Sequence, residues 1–355
     1  MTRTRVSYVD WMRGFAVLIM MQTHAYDSWL TPEAKTSDFY GVSRLVGGYP
    51  APLFLFLAGL GLALLGEALH GRGQDAPAIR RELLKRGLEV FGYAIAFRVW
   101  MFTTSGFTRL TALVRVDVLN CIGVSMLLVG ALALGAASRR GRLVRSLGLA
   151  AGIALLTPFA WDLPWPDWIP FGISGYWTGR VHGAYFPLFP WAGFVALGAA
   201  VGIAITYARE AGHEGRLMAR LALAGALAIP AGLLLKRLPS IYPKDDFWWT
   251  SPSYFLIKCG VVVLVLAFAY LWGLAPWAAG PSPVRLLGHA SLLVYWVHIE
   301  IVYGAVVAPA LRHSLSVGEA SAALFTLTLL MIGLAYARNR GPLQPGRLRA
   351  VFVGG

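Results

Sequence analysis

The sequence predicts an all-α, polytopic integral membrane protein of about ten transmembrane helices with both termini in the cytoplasm. Three observations predict it. Charged residues make up only 14% of the 355 and hydrophobic residues 57%. Apolar runs of membrane-spanning length recur along the chain, and Lys and Arg are divided unequally between alternate connections. An ordinary globular domain is roughly 25% charged, and a soluble particle with so few charges could not cover its surface. A mean hydropathy of +0.62 also excludes a disordered chain.

A span needs about 20 predominantly apolar residues. Ten segments qualify, at about 8–29, 46–66, 83–103, 116–136, 145–162, 186–207, 217–235, 254–275, 285–310 and 319–337. Of the 31 Lys and Arg residues, 19 fall on one side of this arrangement and 9 on the other, while Arg13, Arg98 and Lys258 lie within spans. The richer side contains both termini and is cytoplasmic by the positive-inside rule. The net charge of +14 therefore reads as topology and not as affinity for nucleic acid. The first apolar run follows Arg3 and Arg5, is interrupted by Asp10 and Arg13, and has no A-x-A cleavage site after it, so it reads as a retained anchor. The expected organisation is one transmembrane domain over 1–341 with a short basic cytoplasmic tail, 342–355, in a bacterial inner (cytoplasmic) membrane.

Several chemistries have no support. Cys121 and Cys259 both fall inside spans and offer neither a disulfide framework nor a zinc site, and no metal is expected. A Gly-rich phosphate loop, G-x-S-x-G and H-E-x-x-H are all missing from the sequence, which removes ATP-driven transport and the common hydrolases.

Polar residues inside spans carry the functional reading, because an ionisable group in hydrocarbon is costly and marks a site by default. In the first span Arg13 and His24 are eleven residues apart, which places them only about 20° apart around the helix axis and roughly 16 Å apart along it. Asp10 lies one turn below Arg13 and is placed to pair with it; Asp27 lies one turn above His24 and is placed to orient its ring. Arg98 is expected roughly 22 Å into the third span and His298, next to Tyr295, roughly 20 Å into the ninth. Arg115, Asp117 and Asn120 enter the same layer from the other side. Together they suggest an outward-opening polar pocket of Arg98, Asp117, Asn120, His298 and Tyr295, floored by Arg13. An Arg98–Asp117 pair also suits a purely structural clamp.

Ahead of the third span, Arg80, Arg81, Lys85 and Arg86 form a cationic ridge. It suits attraction to anionic headgroups and equally the phosphates of a nucleotide-like ligand. Two extracytoplasmic connections, Asp162 to Tyr185 and Lys236 to Ser253, are unusually long. Seven of the 13 tryptophans (Trp29, Trp161, Trp165, Trp168, Trp177, Trp248 and Trp249) lie in or beside extracytoplasmic connections, with Tyr176, Tyr242, Asp245 and Asp246. Such rings suit an interfacial aromatic belt or stacking on a sugar.

The run Asp10-x-x-Arg13-Gly14 followed by His24 resembles the transmembrane acyltransferase superfamily, whose acyltransferase-3 members carry Arg or Lys, ten residues and an essential His. Arg115-Val116-Asp117-Val118-Leu119 and the segment from Phe186 to Phe194 are similar to the bacterial branch related to heparan-α-glucosaminide N-acetyltransferase. The stretch from Leu287 through His298 resembles that superfamily's ninth-span region. The resemblance implies transfer of an acetyl group from cytoplasmic acetyl-CoA, as acyl-donor substrate, to a hydroxyl or amino group of an extracytoplasmic acceptor, often a sugar of a glycan or glycolipid. Carried onto this chain, His24 with Asp27 takes the catalytic role, and Arg13, Arg80, Arg81, Lys85 and Arg86 hold the donor. No His occurs between His24 and His70, so the catalytic role follows the acyltransferase-3 pattern. The rival reading is a polytopic transporter or flippase for a sugar-linked or anionic molecule, with Arg98, Asp117 and His298 lining its path. The oligomeric state is left open, and a dimer is compatible with the sequence.

Overall fold

Apolar runs of about 20 residues can satisfy their own backbone groups in hydrocarbon only as helices or closed barrels, and this chain takes the helical solution. A computed structural model describes residues 6–104, 113–164, 168–179, 184–304 and 307–340. It is 78% helix, with no strands among the described residues. The helices are α1 (Ser7–Trp29), α2 (Asp38–Gly47), α3 (Pro50–His70), α4 (Ala76–Thr104), α5 (Val118–Leu132), α6 (Arg139–Asp162), α7 (Phe171–Ser174), α8 (Leu188–Glu210), α9 (Glu214–Leu235), α10 (Pro252–Leu274), α11 (Pro283–His289), α12 (Ser291–Tyr303), α13 (Ala308–Leu311) and α14 (Val317–Arg340). The basic tail 342–355, Arg3, Arg5, Arg109, Arg180, Arg347, Arg349 and Trp165 lie outside the described residues.

Six helical stretches are long and apolar enough to cross a membrane: Asp38–His70, Arg139–Asp162, Leu188–Glu210, Glu214–Leu235, Pro252–Leu274 and Val317–Asn339. The bent pair α11 and α12 makes a seventh if it counts as one span. Helices also occupy the expected spans at 8–29, 83–103 and 116–136, but α1 and α4 carry charges within them and α5 has only 15 residues. The expected continuous ninth span is corrected: α11 and α12 meet at 90°. Just before the bend, the Gly288 backbone is pressed against α1 so closely that a Cβ there would lie 2.0 Å from the Asp10 carbonyl oxygen.

The described residues pack as two compact units. One takes its helices from both ends of the chain, up to Pro50 and from Phe268 onward. Here α1 packs against α2, α11, α12 and α14. Small residues permit the closest approach, as is usual between membrane helices: a Cβ on Gly14 would lie 1.7 Å from the Val284 carbonyl oxygen. The far end of α1 is pinned by polar contacts. Thr31 N–H donates to the Leu315 carbonyl at 3.0 Å, and Leu315 N–H donates to that of Trp29 at 3.0 Å. Ser28 Oγ donates to the Val302 carbonyl at 2.8 Å, and Tyr26 Oη lies 2.9 Å from Ser321 Oγ. The segment carrying His24 and Asp27 is therefore held in place from two sides.

The second unit comprises α3 from Ala51, α4 to Thr103, α5 to α9 and the first part of α10. Backbone contact recurs between α3 and α8, where Cβ atoms on Gly59 and Gly198 would lie 1.8 and 1.9 Å from the carbonyl oxygens of Val195 and Phe56. One end is tied by buried Glu67, which takes Arg142 at 2.7 Å and Arg139 at 2.7 Å, while Arg139 also grips Glu210 through two bonds of 2.6 and 3.0 Å. At the other end of α5, Asp117 caps the helix by accepting from Asn120 N–H at 2.9 Å.

Candidate functional site

α1 presents His24 one turn before Asp27, and α12 presents His298 toward it. His24 Nδ1 lies 2.9 Å from His298 Nε2. The ring planes are 8° apart with centroids 5.2 Å apart, which together with the short N···N contact makes the rings side by side and nearly coplanar, joined edge to edge. His298 is fully buried, and its Nδ1 lies 2.8 Å from the Val294 carbonyl oxygen one turn back along α12. Tyr295 meets the His298 ring edge-on at 5.9 Å.

His24 stands in the wall of a cavity of about 220 Å³ lined also by Thr23, Asp27, Tyr40, Ser43, Arg44, Gly47, Gly48 and Tyr303. α2 closes one side of it, held to α1 by a Gln22–Ser43 hydrogen bond and started by Ser37, whose side chain accepts from Tyr40 N–H. Asp27 does not orient the His24 ring as its spacing had suggested. Its two carboxylate oxygens accept from Tyr303 Oη at 3.0 Å and Tyr40 Oη at 3.5 Å, while His24 Nδ1 meets His298. Tyr303 bridges the two features, its ring lying edge-on to His24 at 5.6 Å.

Arg13 pairs with Asp10 at 3.0 Å, as their spacing predicts, and Asp10 gives its second oxygen to His289 Nε2 at 3.2 Å. Asp10 and His289 border a separate, larger cavity of about 1080 Å³ between α1, α11 and α14. Arg98, Asp117 and Asn120 belong to the other unit. There Arg98 and Asp117 form a buried ion pair of 2.6 Å, and Asn120 Nδ2 donates to the Arg115 carbonyl at 3.1 Å. The Tyr176 phenol outside the helices is pushed up to about 12, by burial first and then by Asp117 and Cys121. Arg80, Arg81, Lys85 and Arg86 are exposed on the first turns of α4, and Arg86 pairs with Glu89 at 2.9 Å. Among the described residues no cluster of three or more His, Cys, Asp or Glu is placed to hold a metal.

Three cavity residues, Tyr40, Arg44 and Tyr303, were not singled out from sequence. Tyr303 had a signal: it follows His298 by five residues on the same helix. Tyr40 and Arg44 had none, because they read as part of a polar loop.

Apolar helices of membrane-spanning length, with a histidine pair beside a partly open cavity, are the frame of a membrane protein. Residues 5–232, well over half of the chain, match the family described as heparan-alpha-glucosaminide N-acetyltransferase, catalytic. The chain belongs to that family, which points to a membrane acetyltransferase. The matched segment contains His24 and the whole of α2, and ends before α12. A comparison with curated proteins finds no match.

Proposed function

We propose that the protein transfers an acetyl group from cytoplasmic acetyl-CoA to a hydroxyl or amino group of an extracytoplasmic acceptor, a sugar of a glycan or glycolipid, with His24 as general base. The observation that carries this reading is His24 in the wall of a cavity whose 220 Å³ has room for a small acyl group and the atom that receives it. In the reaction the His24 imidazole takes the proton from the acceptor O–H or N–H as that atom attacks the thioester carbonyl. The carbon–sulfur bond then breaks, the leaving thiolate takes the proton back from the imidazolium, and the products are the acetylated acceptor and free CoA. Proton transfer of this kind typically contributes about 10² to 10⁴ in rate. An acetyl-imidazole on His24, formed and then consumed by the acceptor, gives the same products.

The donor's phosphates are assigned to Arg13 and the α4 ridge of Arg80, Arg81, Lys85 and Arg86. The accompanying topology has ten spans, counting α1, α4, α5 and the bent α11–α12 pair, with both termini in the cytoplasm of a bacterial cell. In that orientation the Asp10 end of α1 faces the donor and the Asp27 end faces the acceptor. The test is purified protein in liposomes supplied with labelled acetyl-CoA and a membrane glycan extract. Wild type transfers label and His24→Ala falls by about 10² or more; a folded His24→Ala protein acting at the wild-type rate removes the assignment.

A further inference from the structure

The position of His298 reaches beyond the assignment of His24 as base, on which it rests. A neutral imidazole carries one N–H donor and one bare acceptor nitrogen, and the partner of one nitrogen decides which is which. The Val294 carbonyl oxygen, 2.8 Å from His298 Nδ1, can only accept. His298 therefore carries its proton on Nδ1 and leaves Nε2 bare. His298 Nε2 in turn lies 2.9 Å from His24 Nδ1, so that nitrogen must be the donor. The chain of bonds runs from His24 through His298 to a backbone carbonyl and has one consistent polarity. It ends with His24 Nε2 bare.

We infer that His298 is the positioning residue of a histidine dyad, which locks His24 in the Nδ1–H tautomer and presents Nε2 as the proton-accepting atom. Three features fit this role. His298 is fully buried while His24 borders the cavity, so His298 stands behind the base and out of reach of the reacting atoms. The near-coplanar rings give the N–H···N contact the in-plane approach that an imidazole lone pair requires. The α12 backbone supplies the terminal acceptor from one turn away, so the lock needs no further side chain. The carboxylate that could have served in this place, Asp27, is bound by two tyrosine hydroxyls. Histidines oriented through their second nitrogen are common where the first does chemistry; for metal-bound histidines loss of such a partner typically costs about 10- to 100-fold, which sets the scale used below.

The lock and the acetyl-transfer reading are tested by different readouts. Nitrogen-15 NMR of the ring-labelled full-length protein, with the His24 signals assigned by their loss in His24→Asn, reports the tautomer without any substrate. Wild type is expected to show His24 protonated at Nδ1 and bare at Nε2, and His298→Leu a mixture of tautomers. His298→Gln places a side-chain carbonyl near the former Nε2 and is expected to restore the wild-type tautomer, whereas the shorter His298→Asn does not reach. In the labelled acetyl-transfer assay, His298→Leu and His298→Asn are expected to lose about 10- to 100-fold in kcat with the KM for acetyl-CoA unchanged, and His298→Gln to recover most of it. A wild-type His24 protonated at Nε2, or a His298→Gln variant as impaired as His298→Leu, overturns the dyad. A wild-type protein with the expected tautomer and no acetyl transfer leaves the dyad standing and overturns the enzymatic reading alone.

Discussion

Gly14 and Gly288 face each other across the α1–α11 crossing with backbone against backbone: a Cβ on the first would sit 1.7 Å from the Val284 carbonyl oxygen, and a Cβ on the second 2.0 Å from that of Asp10. Neither clash can be relieved by turning a side chain, because the obstructing atoms are main chain. Gly14→Ala and Gly288→Ala are therefore each expected to destabilise the protein by about 3 kcal/mol, read as a lower melting temperature in detergent. Gly41→Ala, in a helix where a Cβ meets nothing within 4 Å, serves as the control and should leave the melt unchanged or raise it slightly, because Ala favours helix over Gly by about 1 kcal/mol.

Asp27 touches the cavity but spends its oxygens on Tyr40 and Tyr303. Asn at this position keeps one acceptor oxygen for Tyr303. Asp27→Asn should therefore lower acetyl transfer by less than about tenfold, against the 10² to 10⁴ that general-base loss removes in His24→Ala. Steady-state rates of the two variants side by side make the comparison, and equal losses would return Asp27 to the base's immediate machinery.

Arg13 and His24 were legible because a charge inside an apolar run is conspicuous, and helical spacing puts both on one face. The partners of such residues were legible on the same helix or across one connection, Asp10 with Arg13 and Asp117 with Arg98, but not His298 with His24, which are 274 residues apart. Asp27 shows the limit of spacing arguments. It follows His24 by one helical turn, yet Tyr40 and Tyr303 hold its oxygens, and both come from outside α1. The break at Ala290 was hidden for a similar reason: the residues on both sides are apolar, and the bend accompanies a backbone contact of Gly288 with α1 that periodicity does not encode.

The Arg98–Asp117 ion pair, 2.6 Å long and buried, makes a separate prediction. Removing one partner leaves an uncompensated charge in a low-dielectric interior, which costs about 3–5 kcal/mol, whereas removing both is often neutral. Asp117→Ala should melt far below wild type, and also loses the cap on Asn120 N–H. The double variant Arg98→Met with Asp117→Asn, which keeps a capping oxygen, should recover most of the loss. A double variant no more stable than Asp117→Ala would mean that the pair does more than balance charge.

The proposed orientation is open to direct labelling. With Cys121 and Cys259 replaced by serine, single cysteines at Asp75 and His213 should react with an impermeant maleimide only from the cytoplasmic face. Cysteines at Glu33 and Lys244 should react only from the opposite face. Labelling of Asp75→Cys and Glu33→Cys from the same side would remove α3 as a single crossing and with it the ten-span count.

The α4 ridge separates its two uses by the parameter it moves. Arg86 is engaged by Glu89, so Arg81 and Lys85 are the better probes. If they clasp the donor's phosphates, Arg81→Gln and Lys85→Gln should each raise the KM for acetyl-CoA with kcat unchanged. The side chains are exposed, and an exposed ion pair is worth about 0.2–1 kcal/mol, so the increase should be no more than about fivefold. The difference from wild type should shrink when the donor lacks its 3′-phosphate, because the lost charge then has less to hold. If the ridge serves only anionic headgroups, KM stays at the wild-type value for both donors and the variants differ from wild type only in their affinity for anionic lipid.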